Sequence, residues 1–319
     1  MPYEMLADPT PLADRLTVAL DTGAEDLDRV AWPLPPARRD RALALHRIYE
    51  LHTAPLARVG DRVRWQHHPV VAALKNRLEA VWIAELDQGT RPLIGHERTA
   101  EEMRKFAARD RSPAIYRWIA DEASWDETMR FLALEGGPDD VFDDLVALCQ
   151  VGLPIGPAKM ELANNYWDEM GNGDFHQVHN SLYKQFVDAV ELPTVPLDEQ
   201  PVEALERTAL LGLLASNRFL QPEMVGALGL IELEAGPHCR YVDRGLERLG
   251  ASAEAREFYR MHAVVDPVHG HGWLENGVGP LVEQNPVWGP RILRGARWKS
   301  QVNNGFFRWA DQALVALAA

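Results

Sequence analysis

The stretch HAVVDPVHGHGW, His262–Trp273, gathers three of the chain's 11 histidines around Asp266. Read as a helix, it sets His262, Asp266 and His269 at i, i+4 and i+7. At 100° per residue the three then fall within about 60° of one another. One helical face would present nitrogen, oxygen and nitrogen donors. Imidazole with carboxylate suits iron or manganese; structural zinc favours thiolates, and magnesium or calcium an all-oxygen site. Pro267 opposes the helix, at about 3 kcal/mol in a helix interior, and Gly270 and Gly272 weaken it further. A metal held by three of its side chains would secure it, so the segment is expected to be ordered with metal and mobile without it.

The same helical period runs through the flanking chain. Arg62 to Gly89 places Val70, Val71, Leu74, Leu78, Val81 and Trp82 on one stripe, the spacing of a buried helix face. Ala123 to Gly137 repeats it and stops at paired glycines, and Asp139 to Gly152 opens on capping aspartates and ends at glycine. Glu203 to Ser216 is a further helix. Pro222 to Ala235 has proline near its start and Gly236-Pro237 as its stop. Alternating β-branched runs and a βαβ rhythm are absent, so the class is all-α. Breaks fall at Trp32 to Asp40, at Glu191 to Pro201 and at Asn285 to Pro290. The first suggests an N-terminal helical extension over residues 1–60, followed by a helical bundle over residues 61–319. The second reads as a loop inside that bundle.

Composition narrows the function. The chain is 46% apolar and 25% charged, with a net charge of -14. That balance disfavours nucleic acid and anionic membranes as partners. The two cysteines, Cys149 and Cys239, form no CxxC pair, which excludes a zinc ribbon or a redox dithiol. No signal peptide or membrane span is evident, so the expected location is the cytoplasm.

One helix cannot complete a metal site. The segment Glu161 to Tyr183 offers Glu169 and His179 with Gly171 and Gly173 between them. In an unbroken helix the two side chains would point about 80° apart; the glycines allow a bend that brings both inward. Glu232 shares a stripe with Val225 and Leu228, and a carboxylate on such a face needs a partner or a metal. Taken singly, His179 reads as an ordinary core histidine and Glu232 as a partly exposed acid. The triple on one helix resists that explanation. Asn165, Asn180 and His176 are candidates to orient the ligands.

In this combination the sequence resembles the haem-oxygenase-like diiron oxidases and oxygenases, also described as iron-containing redox enzymes. Glu169-M-G-N-G-x5-His179 is similar to that family's Glu-x-Gly-x-Gly-x5-His signature, and His262-x3-Asp266-x2-His269 to its ligand motif on a later helix. The likeness runs from about Glu122 to the C-terminus. It implies a haem-oxygenase-like helical bundle without haem, and a pair of iron ions held by Glu169, His179, Glu232, His262, Asp266 and His269. Manganese at one position is compatible with the same donors. Some members, including ones that oxygenate nitrogen, add a carboxylate from an earlier helix; Glu135 is the candidate here, with Asp139 and Asp143 as alternatives. The absence of any Glu-x-x-His disfavours a ferritin-type site.

The resemblance implies an oxidoreductase that uses dioxygen, and an external electron donor, to oxidise a small molecule. N-oxygenation of an amine or amino-acid-derived compound is the leading expectation, and oxidative C–C cleavage or decarboxylation the alternative. A non-catalytic helical binding module is the contrasting class. Arg104, Arg109, Arg260, Arg291 and Arg294 are candidates to anchor a substrate carboxylate, against the ordinary reading of surface arginine. A homodimer is compatible with a compact bundle of this kind.

Overall fold

A computed structural model of the chain describes residues 10–23, 26, 36–88, 98–110, 112–137 and 141–315. Among these residues the regular structure is helical, with no strand, as the sequence period predicts. In chain order the principal helices are α1 (Leu12–Thr22), α2 (Arg38–Thr53), α3 (Pro69–Leu86), α4 (Thr99–Asp110), α5 (Ala114–Asp121), α6 (Trp125–Glu135) and α7 (Phe142–Cys149). They continue with α8 (Pro157–Glu169), α9 (His179–Val190), α10 (Val202–Ala215), α11 (Gln221–Arg248), α12 (Ala253–Gly272) and α13 (Trp288–Ala310). None of the described helices is long and apolar enough to cross a membrane.

The chain forms two compact units, Met1–Gly89 with Leu197–Ser216, and Thr90–Pro196 with Asn217–Ala319. In the first unit α2 is central. Its Asp40 accepts from the Leu12 and Ala13 backbone N–H groups at 2.9 and 2.8 Å, capping the start of α1. Arg41 of α2 is buried and donates both prongs to Glu85 of α3 at 2.6 Å. His46 of α2 holds the Leu205 carbonyl of α10 at 2.8 Å. These ties run past residue 60, so the division expected there falls inside this unit. Composition marks the proline-rich break, but long-range pairing such as Arg41–Glu85 decides what packs together. The segment Glu191 to Pro201, expected as a loop within one bundle, is where the chain leaves the second unit and re-enters the first.

In the second unit the 28-residue α11 packs against α12, α13 and α5. It was expected to stop at Gly236-Pro237, yet it continues to Arg248. The reason lies on the neighbouring helix. A Cβ at Gly236 would stand 2.8 Å from Cδ of Pro267, so the bare glycine is the seat of that proline ring. Two residues that locally disfavour helix thus meet at the α11–α12 interface, and burial there outweighs their propensity. The helix α12 starts at Ser252, whose hydroxyl accepts from the Ala255 N–H at 3.1 Å, and stays continuous through Pro267. A π-helical turn follows at Trp273–Val278; buried Trp273 donates its indole N–H to the Val225 carbonyl at 3.0 Å. Such turns recur beside functional sites.

Candidate metal centre

The helix α8 ends at Glu169 because the next residues cannot continue it. Gly171 and Gly173 take φ of 60° and 90°, with Asn172 at 53° between them. Glycine and asparagine tolerate this left-handed backbone. A Cβ at Gly171 would also lie 2.5 Å from the Gln177 carbonyl carbon. The chain turns back across this stretch and restarts as α9 at His179. The bend brings His179 Nδ1 to 2.7 Å from Glu169 Oε2.

Three further side chains arrive from α11 and α12. Donor atoms of Glu169, His179 and His262 lie within 4.8 Å of one another, and so do those of Glu169, Glu232 and His269. Glu169 belongs to both groups. The His179 and His262 rings stand edge to face with centroids 4.5 Å apart. Asp266, only 2% exposed, shares α12 with both histidines but stands in neither group.

Two of the three acids that could add a further ligand are described. Glu135 ends α6, outside both groups, and its Oε1 accepts from the Tyr116 hydroxyl at 3.0 Å. Asp139 lies outside the described residues. Asp143, in the first turn of α7, also stands in neither group, but it is near enough for its charge to act on Glu169 and His179.

A second layer of groups fixes which atoms face inward. Asn165 donates to Glu232 Oε1 at 2.8 Å, leaving Oε2 directed toward His269. Asp168 lies 3.1 Å from His269 Nε2, which leaves Nδ1 facing the group. The Phe258 carbonyl accepts from His262 Nδ1 at 2.8 Å, which leaves Nε2. Of the expected supports, Asn165 is in place, whereas His176 is exposed with its ring against Phe175. Asp168 was not anticipated. Yet Asn165, Asp168 and Glu169 stand at i, i+3 and i+4, so the spacing rule applied to α12 would have found it on α8.

The electrostatics describe a site short of positive charge. Burial, and then the neighbouring Glu232, raise the Glu169 carboxyl well above the usual carboxylate range. Burial and His269 push His179 down to about 4, and burial and His179 push His262 down to about 3. Burial also works against charge on His269, but its contact with Glu232 prevails and lifts it to about 9.

A cation fits this arrangement. Nδ1 of His179 is buried and makes no hydrogen bond, although a carboxylate oxygen lies 2.7 Å away, and buried Nδ1 of His269 faces Glu232 Oε2 at 3.5 Å. Atoms disposed in this way converge on a shared point instead of bonding each other. Like-charged buried acids also call for a counter-ion. The donors are all nitrogen and oxygen, and Cys149 and Cys239, both buried and in no disulfide, stand in neither group.

The candidate anchoring arginines are engaged in other pairs. Arg291 and Arg294 clamp the fully buried Glu223 at 2.7 and 3.1 Å. Arg260 pairs with Glu257 at 2.9 Å, Arg104 with Glu275, and Arg109 with Asp110 at 2.9 Å.

Residues 130–304, more than half of the chain, match the model of a protein family described as iron-containing redox enzyme. No curated protein sequence matches the chain.

Proposed function

The chain belongs to the family of iron-containing redox enzymes, and on that premise we propose that it uses two iron ions and dioxygen to oxygenate the nitrogen of a small amine or amino-acid-derived molecule. The observation that carries this reading is the pair of three-donor groups sharing Glu169. A carboxylate has two oxygens, so Glu169 can offer one to each ion. His179 and His262 would then hold the first ion, and Glu232 and His269 the second. Asp266, buried on the same helix as both α12 histidines, is the sixth ligand in this assignment. Three or four protein donors per ion would leave coordination positions open to dioxygen and substrate.

Iron supplies the oxygen chemistry, and the protein supplies position and charge. Asn165, Asp168 and the Phe258 carbonyl hold Glu232, His269 and His262 in orientations that keep one donor atom of each directed inward. Asp143 favours nitrogen oxygenation over carbon–carbon cleavage. Its charge acts on Glu169 and His179 from an earlier helix, and some members of the family that the sequence resembles, including ones that oxygenate nitrogen, add a carboxylate from such a helix. An external electron donor would supply the two reducing equivalents that such an oxygenation consumes.

The test is anaerobic loading with ferrous iron, followed by oxygen-18 dioxygen and a panel of amines and amino acids. A product that keeps every substrate carbon and carries oxygen-18 on nitrogen supports the proposal. A product that has lost carbon overturns the nitrogen assignment, and failure to consume dioxygen overturns the oxygenase reading.

A further inference from the structure

On α11, Glu234 faces away from the metal centre. It accepts from Asn303 of α13 at 3.2 Å, whereas Glu232 accepts from Asn165 of α8. Beside this contact, α4 and α13 line an open, cleft-like cavity of about 470 Å³. Its floor is built from buried polar groups. Ser300, 2% exposed, donates to Asp110 Oδ2 at 2.5 Å and accepts from Arg109, and Asp110 is 4% exposed. Along its wall Arg297, Gln301, Asn304 and Arg308 follow one another at i, i+4, i+7 and i+11, one face of α13. Three guanidiniums line the cavity against a single carboxylate, on a chain whose net charge is -14.

We propose that this cavity binds a small organic polyanion with separated carboxylate or phosphate groups. Arg109 is held by Asp110 and Ser300, so it lends the floor a fixed donor geometry. Arg297 and Arg308 start about 16 Å apart along the helix axis, at 1.5 Å rise per residue. Both line the cleft, about three turns of helix apart. A molecule with negative groups at two ends matches that spacing better than a compact ion. Gln301 and Asn304 lie between and offer neutral hydrogen-bonding groups to its middle. Guanidinium forks match carboxylate and phosphate oxygens two at a time. The site is formed by residues that contribute nothing to the metal centre.

The test is calorimetric titration of the iron-loaded full chain with citrate, pyrophosphate and inorganic phosphate at matched ionic strength, following iron absorbance in parallel. Citrate or pyrophosphate is expected to bind at one saturable site without altering the iron spectrum, and inorganic phosphate more weakly. The preferred probe distinguishes carboxylate from phosphate ligands. Arg297→Gln/Arg308→Gln should raise Kd at least about tenfold, the scale of one lost charge-assisted bond. Gln301→Glu, at an exposed position that leaves the floor intact, should do likewise. Absence of saturable binding, tighter binding of inorganic phosphate, or unchanged affinity in both variants would overturn the proposal. So would a shift of the iron spectrum, which would place the anion on the metal.

Discussion

Glu232 and Glu234 stand two residues apart on one helix and serve opposite sides of it. Glu232 takes a hydrogen bond from Asn165 at 2.8 Å and lies 3.5 Å from His269. Glu234 takes one from Asn303 at 3.2 Å on the far side. A step of two residues turns the helix by about 200°, so only one of the pair can face the metal. Glu232→Gln should therefore lower bound iron, and Glu234→Gln should leave it unchanged.

Glu234 should also limit stability. Burial, and then Asp110, raise its carboxyl from 4.5 to about 8. A group held protonated in the fold makes folding less favourable as pH rises from its unfolded to its folded value. Stability is thus lost between about pH 4.5 and 8. Thermal melts should show Glu234→Gln more stable by a few degrees above pH 8, with the gap closing toward pH 4.5. A constant gap across this window would contradict the assignment.

Iron affinity should climb with pH. His269, lifted from 6.5 to about 9, carries a proton in the metal-free chain that iron must displace. For the metal-free fold, the stability from this ion pairing is full below about 6.5 and is lost as pH rises through about 9. For iron the sign is reversed: affinity should rise about tenfold per pH unit per displaced proton across that window. Glu169, also raised, adds in the same direction. His179 and His262, at about 4 and 3, are already neutral and add nothing there. Competition titrations and direct measurement of released protons check this; a flat profile would count against it.

Asp168 should act through His269. Its carboxylate, 3.1 Å from Nε2, orients the ring and increases the basicity of Nδ1. Asp168→Asn should weaken iron binding by about 10–100-fold, while the helical circular dichroism stays unchanged. Equal affinity in the variant would reduce Asp168 to a surface contact.

Gly171→Ala should damage the site through the backbone. The residue has φ of 60° and no space for a Cβ, which would meet the Gln177 carbonyl carbon at 2.5 Å. Destabilisation of at least about 1 kcal/mol in denaturant melts is expected, together with loss of iron. Retained iron with unchanged stability would show that the bend does not depend on glycine here.

Much of this centre is legible in the chain, because its information is local. His262 and His269 share a helical face by spacing alone, and the glycines after Glu169 announce the turn that returns His179. What the sequence conceals is set by tertiary packing. Gly236-Pro237 carries every local mark of a helix end, yet the Pro267 ring settles on Gly236 and α11 runs on. The pairing of Arg41 with Glu85 across residue 60 is likewise unmarked in the local sequence. Whether Glu135 or Asp143 points toward Glu169 depends on how α6 and α7 lie against α8 and α9, which no spacing encodes.

The central claim is that Glu169 joins two iron positions. Titrating metal-free chain with ferrous iron under argon, for the native protein and for Glu169→Ala, tests it most directly. Two irons per chain are expected in the native protein and none in the variant, whereas His262→Ala keeps one. A native chain that binds a single iron, or a Glu169→Ala variant that still binds two, would contradict it.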